Sequence, residues 1–327
     1  MDPSAHIAVM TTEVMQALLP RSGGRYLDAT LGGGTHSSEI LERSSPDGRL
    51  ISLDVDPTAL ARATERFASY GKRWKGVESN FRDLANVVQV EKYGPVDGIV
   101  IDLGLSSDEL LDPAKGLSFH VAGPLDMRLG PKANEEGLTA ADIVNSWKEE
   151  EIARIIHEYG EERMARRIAS AIAQARKMKP IVNTIELATV IRDAVPKGYE
   201  LGRIHPATRT FQALRIAVND EMDALKDAIE GARAFLAPGG VLAVISFHSL
   251  EDRIVKQAFK TADDLEPLTK RPLVPTDAEL AKNPRARSAK FRAARKVEKN
   301  SLTKKDSKKK TKTDYDASVR PLHDQTP

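Results

Sequence analysis

The chain has 327 residues, sets 49 Lys and Arg against 47 Asp and Glu for a net charge of +2, and contains no cysteine. The absence of cysteine excludes a disulfide framework, a zinc ribbon, an iron–sulfur cluster and a thiolate nucleophile. It points to a reducing compartment, the cytoplasm, and leaves a metal site of His and carboxylates chemically open, although none of the motifs below calls for one. The N-terminal Met1-Asp2-Pro3-Ser4-Ala5-His6 lacks a basic segment followed by an apolar one, and no run of about 18 apolar residues occurs, so neither export nor membrane spanning is expected.

The first hundred residues alternate strand-like and helix-like text. A strand at 25–29 runs into Gly32-Gly33-Gly34, followed by a helix at 36–43. A second strand at 50–53 closes on Asp54, and Asp56-Pro57 opens a helix at 58–70, with proline in a favoured first-turn position. A third strand at 74–78 and a helix at 81–93 precede Val96-Asp97-Gly98-Ile99-Val100-Ile101, whose mostly apolar run suits a strand buried on both faces of a parallel sheet. From 108 to 204 the pattern is helical, at 140–147, 149–159, 161–179 and 184–195. A long helix starts near Pro206, the strand signal returns at 239–246, and 265–273 with 289–297 read as an antiparallel pair closing the sheet edge. The expected fold is α/β, an open doubly wound sheet with an all-helical domain inserted between strands 4 and 5. In domains, that is 1–107 and 205–299 for the sheet, 108–204 for the insert and 300–327 for a tail.

Charge is uneven along this order. Between Lys282 and Lys312 there are 14 Lys and Arg against Glu298 and Asp306, a net +12 that leaves −10 for the remainder. An acidic body with a basic end suggests a polyanion such as nucleic acid, while the stretch after Asn300, nearly devoid of hydrophobic residues, reads equally as a disordered solvated tail.

An open parallel sheet binds its ligand beyond the carboxyl ends of its strands. Gly32-Gly33-Gly34-Thr35-His36 follows the first strand, Asp54 ends the second and can accept from both ribose hydroxyls, and Asp102 ends the fourth in Asp102-Leu103-Gly104-Leu105-Ser106-Ser107. Glycines plus an acid also mark nicotinamide and flavin enzymes. Here Ser37 stands where the third glycine of a dinucleotide fingerprint would fall, and Asp102 repels pyrophosphate while suiting a cationic adenosyl ligand such as S-adenosylmethionine. In the second half, Phe211, Leu214, Val218, Met222 and Leu225 share one helical stripe that contains Arg215. Two readings of Arg215 stand: a buried ion pair bracing two domains, or a phosphate or base contact. His248, after the fifth strand, is either structural or at the ligand edge.

Six blocks resemble one family: Asp28-Ala29-Thr30-Leu31-Gly32-Gly33-Gly34-Thr35-His36-Ser37, the Asp102 to Ser107 block, Pro124-Leu125-Asp126-Met127-Arg128, the residues from His205 to Ile216, those from Ser246 to Lys256, and Asn283-Pro284-Arg285-Ala286-Arg287-Ser288. Their order and text resemble the bacterial MraW family of small-subunit ribosomal RNA methyltransferases from His6 to Val297. The resemblance implies a Rossmann-like class I methyltransferase sheet, S-adenosylmethionine as methyl donor, and transfer to N4 of a 16S rRNA cytidine near the decoding site. The partner it implies is 16S rRNA or the small ribosomal subunit, without a membrane. It places Gly34, Thr35, His36, Asp54, Phe81, Asp102 and Glu109 at the donor, with Thr35 and Glu109 replacing a usual glycine and glutamine.

Methylating cytosine at carbon 5 needs a thiolate, and radical methylation an iron–sulfur cluster; both are excluded here. Attack by an exocyclic amine needs neither, only positioning and acceptors for its hydrogens. Asp102 and Ser106 are the candidate catalytic residues, with no general base assigned. On the 161–179 helix, Arg163, Arg166, Arg167, Ser170, Gln174 and Lys177 share a face, either a solvated surface or a phosphate-binding one. Candidate RNA contacts are thus Arg163, Arg167, His205, Arg209, Arg215 and His248. A non-catalytic RNA-binding assembly factor that keeps an adenosyl pocket is the alternative function, and a nicotinamide oxidoreductase a weaker one.

Overall fold

A computed structural model of the chain describes residues 8–105, 110, 112–130, 137–199 and 204–298. Ser106, Glu109 and the 300–327 tail lie outside the described residues. Strands β1 (Arg25–Asp28), β2 (Arg49–Asp54), β3 (Trp74–Glu78), β4 (Val96–Asp102) and β5 (Leu236–Ser246) are parallel, in the order 3-2-1-4-5. β7 (Lys290–Lys296) pairs antiparallel with β5 and β6 (Leu265–Pro267) antiparallel with β7, giving a seven-stranded sheet in the order 3-2-1-4-5-7-6. Strand order reverses between β1 and β4, so the connections leaving their ends diverge and open a crevice.

The expected edge pair is there, but β7 is built into the sheet rather than hung on its edge. Its partner is short. β6 ends at Pro267, which has no N–H to give, and Leu273 adds only an isolated bridge to Phe291.

The first-half helices are α1 (Thr11–Leu18), α2 (Thr35–Arg43), α3 (Pro57–Arg66) and α4 (Leu84–Val90). α3 starts where Asp56 accepts from the Thr58 N–H at 2.8 Å but stops earlier than its pattern suggests, at a 3₁₀ turn over Ala68–Arg73. Then follow α5 (Ala140–Ser146), α6 (Glu149–Gly160), α7 (Ala165–Met178), α8 (Thr184–Ala194), α9 (Thr208–Asn219), α10 (Glu221–Phe235), α11 (Ser249–Thr261) and α12 (Asp277–Lys282). The single long helix expected from Pro206 is two. Asp220 sits in the left-handed region (φ 50°, ψ 41°), which aspartate tolerates better than most residues, and the break turns Glu221 back toward Arg215. Among the described residues no helix is long and apolar enough to cross a membrane.

Alternation along the strands feeds two cores. Ile99, Ile101, Leu242 and Val244 face α4, α10 and α11, while Val100, Ala243 and Ile245 face α1 and α2. A third core joins α5, α6, α7 and α8 through Ile143, Ile155, Ile168 and Leu187, and takes in Phe211 and Leu214 of α9. Glu161 ties this helical part to α11, accepting from the Ser249 hydroxyl and from Arg253 at 2.7 Å. α6 and α9 meet at Gly160, where an added Cβ would stand 2.6 Å from the Arg209 carbonyl oxygen. Gly160→Ala is therefore expected to cost about 1–3 kcal/mol by forcing the two backbones apart, read as a lower melting temperature.

Candidate active site

The site begins with a glycine turn that a neighbouring acid holds in shape. Gly32 and Gly34 both adopt positive φ (50° and 74°), and Gly34 is the N-cap of α2. Asp54, at the end of β2, accepts from the Gly32 N–H at 2.8 Å and from the Asp56 N–H at 2.9 Å. It thus fixes the turn with both oxygens. An added Cβ at Gly34 would press on the Phe67 ring at 3.1 Å, so both the conformation and the space there require glycine. Thr35 follows as the first helical residue and is half-buried, so its β-branched side chain is accommodated.

His36 behaves differently from a residue that offers its side chain to a ligand. Its imidazole is buried, 5% exposed, with Nε2 3.4 Å from Oδ2 of Asp102, and neither ring nitrogen has a hydrogen-bond partner among the described residues. Burial pulls the imidazole down, but the Asp102 carboxylate and the charges of Asp28 and Glu279 outweigh it and hold the pKa above its ordinary value. Asp28 lies fully buried at the end of β1, its pKa pushed up by burial and tempered by His36, Ser37 and the Thr30 N–H. Two strand-end acids thus flank one imidazole beneath the glycine turn.

Ser37, the residue in place of a third glycine, has a use that spacing could not reveal. The Trp74 indole N–H donates to the Ser52 hydroxyl at 3.0 Å, Ser52 meets Ser37 at 2.8 Å, and Ser37 donates to Asp28 at 2.7 Å. Because the indole only donates and the carboxylate accepts, the direction of the whole chain is set. The buried polar file anchors β1, β2, β3 and α2 to one another under the site.

Asp102 is held by its own N–H, which donates to the Thr30 hydroxyl at 2.7 Å, while its Oδ1 is buried with no partner among the described residues. Beside it a cleft is lined by Phe81, Leu103, Gly104, Leu105, Leu129, Arg215, Glu221, Leu225 and Glu251, with a cavity of about 50 Å³. Phe81 opens a 3₁₀ turn capped by Asn80, and Arg82 fastens that turn to the α9–α10 break through Asp220 (2.5 Å) and Asp227 (2.9 Å). Leu129 is placed by Asn219, which accepts from its N–H and donates to the Met127 carbonyl, both at 2.8 Å.

Arg215 makes an ion pair, as one reading of the sequence required, but with Glu221 of the next helix rather than across two domains. Its Nε and Nη2 grip Glu221 at 2.7 and 2.9 Å, with the two side chains 17% and 14% exposed, at the cleft wall. His248 is the N-cap of α11 in a reciprocal capping box: it accepts from the Glu251 N–H at 3.3 Å, and Glu251 accepts from the His248 N–H at 3.1 Å. Burial pushes buried Glu251 up, yet His248, the Phe247 N–H and the charge of Arg215 together hold it below the usual carboxylate range. Glu221, His248 and Glu251 each bring a potential metal ligand within 4.8 Å of the others. Both oxygens of Glu221 are engaged by Arg215, however, so the cation in this cluster is the guanidinium.

The remaining sequence candidates lie away from the cleft. Arg209 stands 3.7 Å from buried Glu162, which also accepts from the Tyr199 hydroxyl at 2.6 Å. His205 is exposed and stacked on Phe119. Arg163 precedes α7 rather than lying in it, since Glu161 adopts φ 50° and the helix begins at Ala165. Even so, Arg163, Arg166, Arg167, Gln174 and Lys177 are exposed and Ala165, Ile168 and Ile172 buried, the division expected of that segment. Arg176 instead ties α7 to α5, donating to the Val144 and Trp147 carbonyls at 2.8 and 2.6 Å.

The donor set fits a cationic adenosyl ligand. A buried carboxylate oxygen without a partner suits an ammonium or sulfonium and would repel pyrophosphate, and a second acid stands across the glycine turn.

The model of the MraW methylase family matches residues 3–297. A protein named ribosomal RNA small subunit methyltransferase H from Geobacter sulfurreducens is 49% identical over 90% of this chain and 99% of its own. Its namesake from Symbiobacterium thermophilum is 48% identical, over 90% of this chain and 97% of its own. Among solved structures, an rRNA methylase from Streptococcus thermophilus is 11% identical with a TM-score of 0.41, covering 88% of this chain and 94% of that one.

Proposed function

The chain belongs to the MraW methylase family, and on that premise we propose that it methylates the exocyclic N4 of a cytidine in 16S rRNA near the decoding site, acting in the cytoplasm on the small ribosomal subunit. It is an S-adenosylmethionine-dependent methyltransferase. The observation that carries the reading is the unpartnered, buried Oδ1 of Asp102 at the end of β4, beside a cleft with an apolar lining.

In this reading Gly34, Thr35 and His36 hold the donor through backbone, since the His36 side chain is turned inward. Asp54, Phe81, Asp102 and Glu109 complete that site. Bound S-adenosylmethionine supplies an electrophilic methyl group. The cytosine N4 lone pair is delocalised into the ring, so acceptors aimed at its hydrogens favour the pyramidal, nucleophilic form; Asp102 and Ser106 take that role. The apolar cleft wall excludes water, and Arg215, Glu221 and Glu251 supply its polar side, with His248 beside Glu251.

We assign 1–107 and 205–299 to the methyltransferase domain and 108–204 to an inserted substrate-recognition domain, with 300–327 a basic tail. Arg163, Arg167, His205 and Arg209 then belong to the RNA-facing surface. A cytidine must leave its stack to enter the cleft, at a cost of a few kcal/mol that contacts to flanking RNA must offset. The Arg163→Glu/Arg167→Glu protein is expected to bind RNA more weakly with a shallower dependence of log affinity on log salt; an unchanged slope removes this face from the interface.

The reading is tested by incubating the protein with labelled S-adenosylmethionine and small subunits from a strain lacking the enzyme, then mapping modified nucleosides. Label in N4-methylcytidine is expected, and label in any other nucleoside overturns the assignment.

A further inference from the structure

Away from the cleft, four aromatic rings gather where the start of α9 meets the 112–130 segment. Phe119 stacks on His205 with centroids 4.6 Å apart and planes at 27°. It lies 4.7 Å from His120 and meets Phe211 edge-on at 5.1 Å and 74°. Phe211 is buried in the helical core and Phe119 half-buried against it, whereas His120 and His205 are exposed. Core packing accounts for the two phenylalanines. It does not account for two solvent-facing imidazoles gathered around one of them.

The chemistry of these rings narrows the occupant. Nδ1 of His205 accepts from the Ala207 N–H at 3.1 Å, which leaves the proton on Nε2, an outward donor. The His205 pKa is lowered, first by burial and then by electrostatic repulsion from His120 and Arg192, so the ring favours its neutral form. A neutral ring is a poor phosphate anchor and a good stacking surface, which favours a base over a phosphate as the occupant. Position agrees: Phe211 and Arg215 are four residues apart on α9, about 6 Å along the helix, and Arg215 lines the cleft.

We propose that Phe119, His120 and His205 form a stacking platform for an unpaired base flanking the nucleotide to be methylated. The proposal rests on the reading of the protein as an RNA methyltransferase. It assigns this surface a mode of recognition, stacking on aromatic rings, that is separate from the phosphate contacts of Arg163 and Arg167. Stacking on aromatic side chains is how single-stranded RNA is held where sequence-specific hydrogen bonds are few.

The test uses the full chain and a short single-stranded RNA carrying 2-aminopurine, with affinity measured between about 50 and 200 mM salt. The His120→Ala/His205→Ala protein is expected to bind about five- to a hundredfold more weakly, with an unchanged salt slope and with loss of the 2-aminopurine quench. The His120→Phe/His205→Phe protein, which keeps the rings and removes the imidazole nitrogens, is expected to restore both affinity and quench. Wild-type affinity and quench in the alanine protein overturn the platform alone. So does a shallower salt slope without rescue by phenylalanine, because that pattern belongs to phosphate contacts. Failure of the wild-type protein to bind RNA overturns the RNA reading itself, and the platform with it.

Discussion

Asp102→Asn is expected to slow methyl transfer by about two to three orders of magnitude, the usual consequence of deleting one preorganised electrostatic contact at a reacting centre. The substitution keeps the shape of the side chain and the Asp102 N–H bond to Thr30, so the end of β4 stays in place. It removes the charge of the buried Oδ1, which has no partner among the described residues. Calorimetric titration with S-adenosylmethionine should show a matching loss of affinity, because a cationic ligand meets a dipole where it met a carboxylate. Full activity with Asn at this position would remove Asp102 from the site.

The same variant reports on what lies underneath. In the wild-type protein the Asp102 carboxylate 3.4 Å from His36, with Asp28 and Glu279 nearby, holds the imidazole above its ordinary pKa against the cost of burial. A raised folded-state pKa contributes stability that is fully present below the unfolded value of about 6.5 and is lost as pH rises through the folded value. The melting temperature should therefore fall as pH is raised from about 6.5, and fall less in Asp102→Asn, whose His36 has lost its strongest neighbour. Imidazole NMR of the seven histidines, with His36 assigned from a His36→Gln variant, checks this directly. Identical His36 titration in both proteins would show that the two groups do not interact.

The parts legible in the sequence were those with a strict spacing rule. Strand text alternating with helix text placed β1 to β5 and put Gly34, Asp54 and Asp102 at their carboxyl ends, because in a parallel sheet chain order and spatial position are tightly linked. A guanidinium on an apolar stripe had to have a partner, and Arg215 has one. What escaped has no local signature. The file from Trp74 through Ser52 and Ser37 to Asp28 joins residues from three strands and a helix, and only the fold brings them together. The break at Asp220 is invisible to periodicity, since the apolar stripe continues through it from Phe211 to Leu225. Phe119 lies outside any helix or strand, so no periodicity singled it out. His36 was placed at the donor by resemblance; that its ring turns inward to Asp102 required the burial of α2 to be seen.

Arg215 and Glu221 allow the structural and functional roles of one ion pair to be separated. Glu221→Gln leaves a guanidinium that is 17% exposed without its carboxylate, and breaking a largely buried pair from one side costs about 3–5 kcal/mol. A clear drop in melting temperature is expected. Replacing both partners, as Arg215→Met/Glu221→Leu, removes the charge and the partner together and fills the space with apolar groups, a change that is often neutral or stabilising. That protein is expected to melt near the wild type. Its catalytic outcome then decides between the two readings of Arg215. The pair lines the cleft with Phe81 and Leu103, and Arg215 helps keep buried Glu251 ionised, so removing it alters the polar wall that a base entering the cleft would face. The double variant is accordingly expected to remain folded, to bind S-adenosylmethionine normally, and to lose at least about tenfold in methyl transfer, equivalent to 1.4 kcal/mol of transition-state stabilisation. If it instead melts near the wild type and methylates at the wild-type rate, Arg215 is a brace between α9 and α10 and nothing more.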